Sequence, residues 1–428
     1  MDAFLIQGPA RLSGSVRVGG AKNAALPCIA AALLTPEPVT LLDLPPVADV
    51  RTMKKLLSGM GVLVEGEAPG PVTLTAGSLA STEAPYDLVR TMRASILVLG
   101  PLLSRFGEAW VSLPGGCAIG VRPVDLHVKA LEEMGARVAV EKGYIHAHVS
   151  RVGSLGGRLR GAEIRFPIPT VTGTENVMLA AALARGVTRI ENAACEPEVV
   201  DLADLLRSMG ASVTGDGTPE VVVTGVESLR GTRERGHAVV PDRIEAGTYL
   251  AAGAITRGAV TVENARPEHL AAFLSFLRAA GTAVEPAATG LSTVPSGELR
   301  SVDVTTAPFP GFPTDLQAQA MALMTQARGT SRIAETIFEN RFLHAVELAR
   351  LGADVAVEGR SAVVKGPARL QGAPVTASDL RASAALVLAG LVAEGETLVR
   401  RIYHLDRGYA RMEEKLSALG AKVTRLPG

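Results

Sequence analysis

A chain of 428 residues, 47% of them apolar, is long enough for two or three domains with sizeable cores. Its 43 basic and 43 acidic side chains cancel, so no global field draws it to nucleic acid or to a membrane. Any anion site must be built locally. Three scattered cysteines, Cys28, Cys117 and Cys195, form no CxxC pair. That argues against a disulfide framework or a zinc motif and fits a reducing cytoplasm.

Residues 1–8 lack a basic stretch followed by an apolar run, so no signal peptide is expected. The longest apolar runs, 24–34 and 384–393, fall short of the about 20 residues that span a bilayer. They read as buried helices. Aromatics are 4%, so the cores are aliphatic.

Along the chain, the pattern Leu-x-x-(Met/Leu/Ala)-Gly recurs at intervals of about 70 residues, ending on Gly61, Gly135, Gly210, Gly281, Gly352 and Gly420. Each glycine is predicted to stop an amphipathic helix: 53–60, 124–134, 199–209, 269–280, 343–351 and 409–419. Short strands follow, as in 137–140 and 354–357. A second set, 24–34, 95–103, 177–184, 247–255, 316–324 and 382–392, is Ala/Leu/Val-rich all round and is predicted to be buried. Alternating helix and strand patterns signal an α/β protein of six units, divided into two sets of three. Residues 18–21 and 231–236 are the expected links, giving one domain over 22–230 and another over 1–21 plus 231–428.

Polar groups precede each buried helix. Capping accounts for Thr174 and Thr314. It does not account for Lys22, Arg93 and Arg381, because a cation is unfavourable at the positive end of a helix. Cations there predict an anion at the same place, and hence a polyanionic ligand between the domains. Arg122, Arg341 and Arg407 lie in loops. Singly each reads as solvated or ion-paired; together they can neutralise a phosphate and a carboxylate. Cys117 sits among Gly115, Gly116 and Gly120 with Arg122 nearby, where a thiol loses its proton readily. Taken alone, that loop reads equally well as a surface loop with an incidental cysteine. Its unit is longer than the others in this segment, as for a mobile lid. Cys28, inside a buried helix, reads as packing.

Pro114-Gly-Gly-Cys-Ala-Ile-Gly-Val-Arg-Pro-Val-Asp-Leu126 resembles the catalytic loop of the UDP-N-acetylglucosamine 1-carboxyvinyltransferase family of enolpyruvyl transferases. So do Gly20-Ala-Lys-Asn-Ala-Ala25, Thr91-Met-Arg-Ala-Ser95, Phe312-Pro-Thr-Asp315, Phe338-Glu-Asn-Arg-Phe342, Asp379-Leu-Arg-Ala-Ser383 and Asp406-Arg-Gly-Tyr409. The resemblance runs end to end. It implies the enolpyruvyl-transferase fold: two inside-out α/β barrel domains built from six βαβαββ repeats. It implies transfer of enolpyruvate from phosphoenolpyruvate (PEP) to the 3′-hydroxyl of UDP-N-acetylglucosamine, with release of phosphate, in peptidoglycan synthesis.

The resemblance also assigns residues. Cys117 is the acid that protonates PEP and the site of a covalent PEP adduct; Asp315 is the base. Lys22 and Arg407 join them in catalysis. Lys22, Asn23, Arg122, Arg341, Arg381 and Arg407 face PEP. Asn23, Arg93, Arg122, Pro123, Val124, Asp125, Leu126, Thr170, Val171, Asp315 and Ile337 face the sugar nucleotide. No metal or cofactor is implied, and fosfomycin is implied as a covalent inhibitor at Cys117. A carboxylate near pKa 3.9 is a weak base unless its environment raises that value. Two departures stand out. Thr170-Val-Thr-Gly-Thr-Glu-Asn176 replaces the family's Ser-Val-Gly-Ala-Thr-Glu-Asn, and Cys195, given no catalytic role, stands where the family often has arginine. The rival readings are a 5-enolpyruvylshikimate-3-phosphate synthase, which lacks the cysteine loop; a cysteine hydrolase pairing Cys117 with His127 or His237; and an inactive repeat scaffold.

Overall fold

The computed structural model describes residues 2–113, 124–150, 156–232, 235–295 and 297–428. The described residues form two compact units, one of 20–113 with 124–240 (the 20–240 unit) and one of 2–19 with 241–428. Residues 231–240 therefore stay with the first unit, against the expected boundary after 230. Strand pairing explains this. Strand His237–Ala238 runs parallel to Val39–Leu42, and the Thr40 N–H donates to Thr232 Oγ1 at 2.7 Å. Such long-range pairing leaves no local trace in residues 231–236.

In the 20–240 unit, the strand Val39–Leu42 lies between His237–Ala238 and Val72–Thr75. A second sheet centres on Glu108–Ser112 and Tyr144–His148, a third on Val187–Glu191 and Glu220–Thr224. The other unit has three sheets with the same pairing sequence: one parallel pair, then two antiparallel pairs. Apolar helices form the core of each unit. Leu99–Phe106 packs on Val171–Ala181 in one, and Arg243–Ile255, Gln317–Met324 and Leu380–Val392 pack on one another in the other. Leu380–Val392 buries 11 of its 13 residues, which is why its sequence has no polar face.

The recurring Leu-x-x-x-Gly motif has one geometry. All six glycines take φ between +94° and +104°, a region that penalises any Cβ. The residue after each glycine donates its N–H to the carbonyl of the motif leucine: Leu57, Leu131, Leu206, Leu277, Leu348 and Leu416, at 2.9–3.1 Å. This is a Schellman closure. The leucine side chains are buried, so one residue both caps the helix and packs it.

Two buried helices differ from expectation. The third begins at Val171, not at 177, because Thr170 Oγ1 accepts from the Gly173 N–H at 3.3 Å and so caps it. Thr174 thus lies inside the helix and accepts from Ala194 N instead of capping. The helix predicted over 95–103 opens as a 3₁₀ segment, Arg93–Val98, before Leu99–Phe106. Asn176 is the cause. Its Oδ1 accepts from Gly100 N at 2.7 Å while its Nδ2 donates to Ile96 O at 3.1 Å, so one amide replaces the i→i−4 bond. A Cβ at Gly100 would lie 2.4 Å from Asn176 backbone and side-chain oxygens.

Candidate functional site

In the 2–19/241–428 unit, three motif residues converge. Asp315 sits in the 3₁₀ turn Thr314–Leu316, before helix Gln317–Met324. Arg341 Nη2 donates to Asp315 Oδ1 and Arg381 Nη2 to Asp315 Oδ2, each at 2.7 Å. Both guanidinium side chains are 5% exposed. Arg341 also donates to Thr314 Oγ1 at 2.7 Å, and the Thr314 hydroxyl in turn donates to Glu335 Oε2 at 2.8 Å. Thr314 therefore belongs to the polar network and is not the cap expected of it. Arg381 lies over the Tyr409 ring, 5.6 Å from its centroid, and donates to its hydroxyl at 3.3 Å. Helix Leu380–Val392 starts here because Asp379 accepts from Arg381 N and Ala382 N at 2.9 and 3.0 Å.

The electrostatics do not supply the rise that a base at this position needs. Burial would raise the Asp315 carboxyl, but Arg381 and then Arg341 outweigh it and hold the group well below its ordinary range. In this arrangement Asp315 is a fully ionised counterion and a poor base.

Glu335, missed in the sequence, organises the adjoining loop. Its Oε1 accepts from Ile337 N at 2.8 Å, Phe338 N at 3.1 Å and Thr306 Oγ1 at 2.9 Å. Ile337 is thereby fixed through its backbone. Arg407 ends the 3₁₀ segment Ile402–Arg407 and is half-buried.

In the 20–240 unit, Lys22 and Asn23 open helix Lys22–Ala31. Lys22 Nζ lies 3.2 Å from Asp49 Oδ2, with the side chains 12% and 5% exposed. Misplaced cations at helix starts were expected to signal a bound anion. For Lys22 and Arg381 the protein itself supplies one, Asp49 and Asp315, so helix position alone does not establish a ligand. Arg93 opens the 3₁₀ segment Arg93–Val98 and is half-buried. Thr170 caps helix Val171–Ala181, and Val171 is its first residue. Val124, Asp125 and Leu126 start helix Asp125–Glu133, where exposed Asp125 pairs with Lys129 at 3.7 Å. Cys117, Arg122 and Pro123 lie outside the described residues.

Neither histidine proposed for a hydrolase is at leisure. His127 is 5% exposed, and its Nδ1 accepts from Asn176 Nδ2 at 3.0 Å, which leaves the proton of the neutral ring on Nε2. His237 Nε2 lies 3.2 Å from Asp201 Oδ1. Burial pushes the His127 pKa down from 6.5 to about 4. The unfolded chain therefore binds a proton there that the folded chain does not. Stability is expected to fall as pH drops from 6.5 towards 4, by about 3 kcal/mol from this residue. Urea unfolding across that range checks it: His127→Gln should flatten the slope.

A family model described as EPSP synthase (3-phosphoshikimate 1-carboxyvinyltransferase) matches residues 6–416. Proteins named UDP-N-acetylglucosamine 1-carboxyvinyltransferase match from end to end. The one from Granulibacter bethesdensis is 54% identical over 429 residues, covering 100% of both chains. That from Anaeromyxobacter dehalogenans is 57% identical over 430 residues, again covering 100% of both. Among solved structures, the enolpyruvyl transferase NikO from Streptomyces tendae aligns with TM-score 0.88 and 26% identity over 100% of this chain and 99% of that one. EPSP synthase from Acinetobacter baumannii, at 18% identity, TM-score 0.75 and full coverage of both chains, shares the fold. Among the described residues no helix is long and apolar enough to cross a membrane. The chain belongs to the enolpyruvyl transferases, and within them to the UDP-N-acetylglucosamine 1-carboxyvinyltransferase family.

Proposed function

We propose that the protein transfers the enolpyruvyl group of PEP to the 3′-hydroxyl of UDP-N-acetylglucosamine and releases phosphate, in the cytoplasm. The observation that carries this reading is identity of 54–57% along the whole chain to relatives bearing that name. Cys117 donates a proton to the PEP methylene carbon, which becomes a methyl group, as the sugar oxygen bonds to C2; phosphate then leaves while the methyl group gives one proton back to the Cys117 thiolate, regenerating the thiol and the enol double bond. Lys22, Arg122 and Arg407 hold the charges of PEP, with Arg341 and Arg381 assisting. Asn23, Arg93, Pro123, Val124, Asp125, Leu126, Thr170, Val171 and Ile337 contact the sugar nucleotide.

Asp315 takes the hydroxyl proton. It becomes a competent base when an anionic substrate draws Arg341 or Arg381 away, because losing a cation raises the carboxyl. Substrate arrival and base activation are thus one event.

Phosphate release with PEP and UDP-N-acetylglucosamine, and detection of the enolpyruvyl sugar nucleotide by mass spectrometry, test the reading. Phosphate release dependent on shikimate 3-phosphate instead would overturn it. Fosfomycin is expected to add its mass once per chain in the presence of the sugar nucleotide. The adduct should be absent in Cys117→Ser; intact-mass measurement checks both.

A further inference from the structure

Cys28, taken from sequence as inert packing, has company. It lies in the buried helix Lys22–Ala31, fully inaccessible. Its Sγ donates to Asp201 Oδ2 at 3.6 Å. Asp201, 7% exposed, comes from helix Pro197–Ser208. Its other oxygen lies 3.2 Å from His237 Nε2, on strand His237–Ala238, and accepts from Val240 N at 3.2 Å. One sulfur, one nitrogen and one carboxylate oxygen all fall within 4.8 Å of one another. All three residues belong to the 20–240 unit.

We infer that Cys28, Asp201 and His237 form a structural site for a borderline divalent transition metal of the zinc class. The donor set is the argument. Thiolate, imidazole and carboxylate are the zinc ligands, with bonds of about 2.0–2.3 Å. Tetrahedral angles turn those lengths into ligand separations of about 3.4–3.6 Å. Cys28 Sγ lies 3.6 Å from one Asp201 oxygen and His237 Nε2 lies 3.2 Å from the other, so the three donors, all within 4.8 Å of one another, need only a small contraction around an ion. Three protein ligands leave the fourth position to water.

The surroundings favour a cation. Glu175, 1% exposed, leaves its Oε1 without a hydrogen-bond partner. Loading forms metal–sulfur, metal–nitrogen and metal–oxygen bonds and sends the Cys28 proton to solvent; no electron moves. The ion would tie two helices to the strand that precedes residue 241.

The test uses the full-length Cys117→Ala/Cys195→Ala chain, whose sole thiol is Cys28, with cobalt(II) as probe. Cobalt is added both to the folded protein and during refolding from urea, so that burial does not block entry. One equivalent is expected to give a thiolate-to-cobalt charge-transfer band with the intense ligand-field absorption of four-coordinate cobalt. One equivalent of zinc should abolish both and raise the Tm. His237→Asn in the same background should weaken cobalt binding at least tenfold. Absence of the charge-transfer band under both loading conditions would overturn the inference, whether or not the His237 variant folds. So would a band of undiminished affinity in folded His237→Asn.

Discussion

Asp315→Ala is expected to lower stability by about 3–5 kcal/mol and turnover by about 10²–10⁴-fold. The stability cost follows from what remains. Arg341 and Arg381 are both nearly inaccessible, and each donates to one oxygen of the same carboxylate. Without it, two buried guanidinium groups keep Thr314 and Tyr409 as partners but lose their shared counterion. Urea unfolding measures the first effect and steady-state phosphate release the second. A variant of unchanged stability would show that the cluster contributes little in solution.

The pH dependence has a definite sign. The Asp315 carboxyl sits below its ordinary 3.8 in the folded state. Its contribution is therefore complete above that value and is lost as pH falls through the lowered one. The stability gap between wild type and Asp315→Asn should be constant at neutral pH and close in acid.

Cys117→Ser is expected to reduce turnover by about 10²–10⁴-fold, the usual scale of a lost general acid. A thiol titrates near 8.5, within reach of a proton donor at neutral pH, whereas an alcohol does not. UDP-N-acetylglucosamine binding, measured by calorimetry, should be retained, since none of the residues assigned to the sugar nucleotide is altered. Full activity in the variant would remove Cys117 from the acid role. Cys195→Ser should leave turnover unchanged. That thiol is half-buried, directed at the Ala193 carbonyl at 3.7 Å, and pushed up by burial and then Glu196.

What the sequence made legible was local. At the end of each amphipathic run, a leucine four positions before a glycine marks a Schellman closure, so those helix ends were readable to within a residue or so. Apolar runs located the buried helices for the same reason. The misses are non-local. Asn176 interrupts a helix 76 residues earlier in the chain. Asp49 answers Lys22 from 27 residues away, and Asp201 meets Cys28 across 173. The motifs that carry the family resemblance named Asp315, Arg341 and Arg381, but not that they would neutralise one another.

Strand Ala3–Gly8 pairs antiparallel on both sides, with Gly395–Arg400 and with Lys422–Leu426. During synthesis, Ala3–Gly8 must wait for a partner, Lys422–Leu426, that is made far later. Residues 20–240, whose strands find partners within that span, can mature meanwhile. The remaining unit cannot flank Ala3–Gly8 on both sides until Lys422–Leu426 has been made. Deleting Lys422–Leu426 alone would leave the strand that carries Phe4 and Ile6, both now inaccessible, as an open edge that invites aggregation.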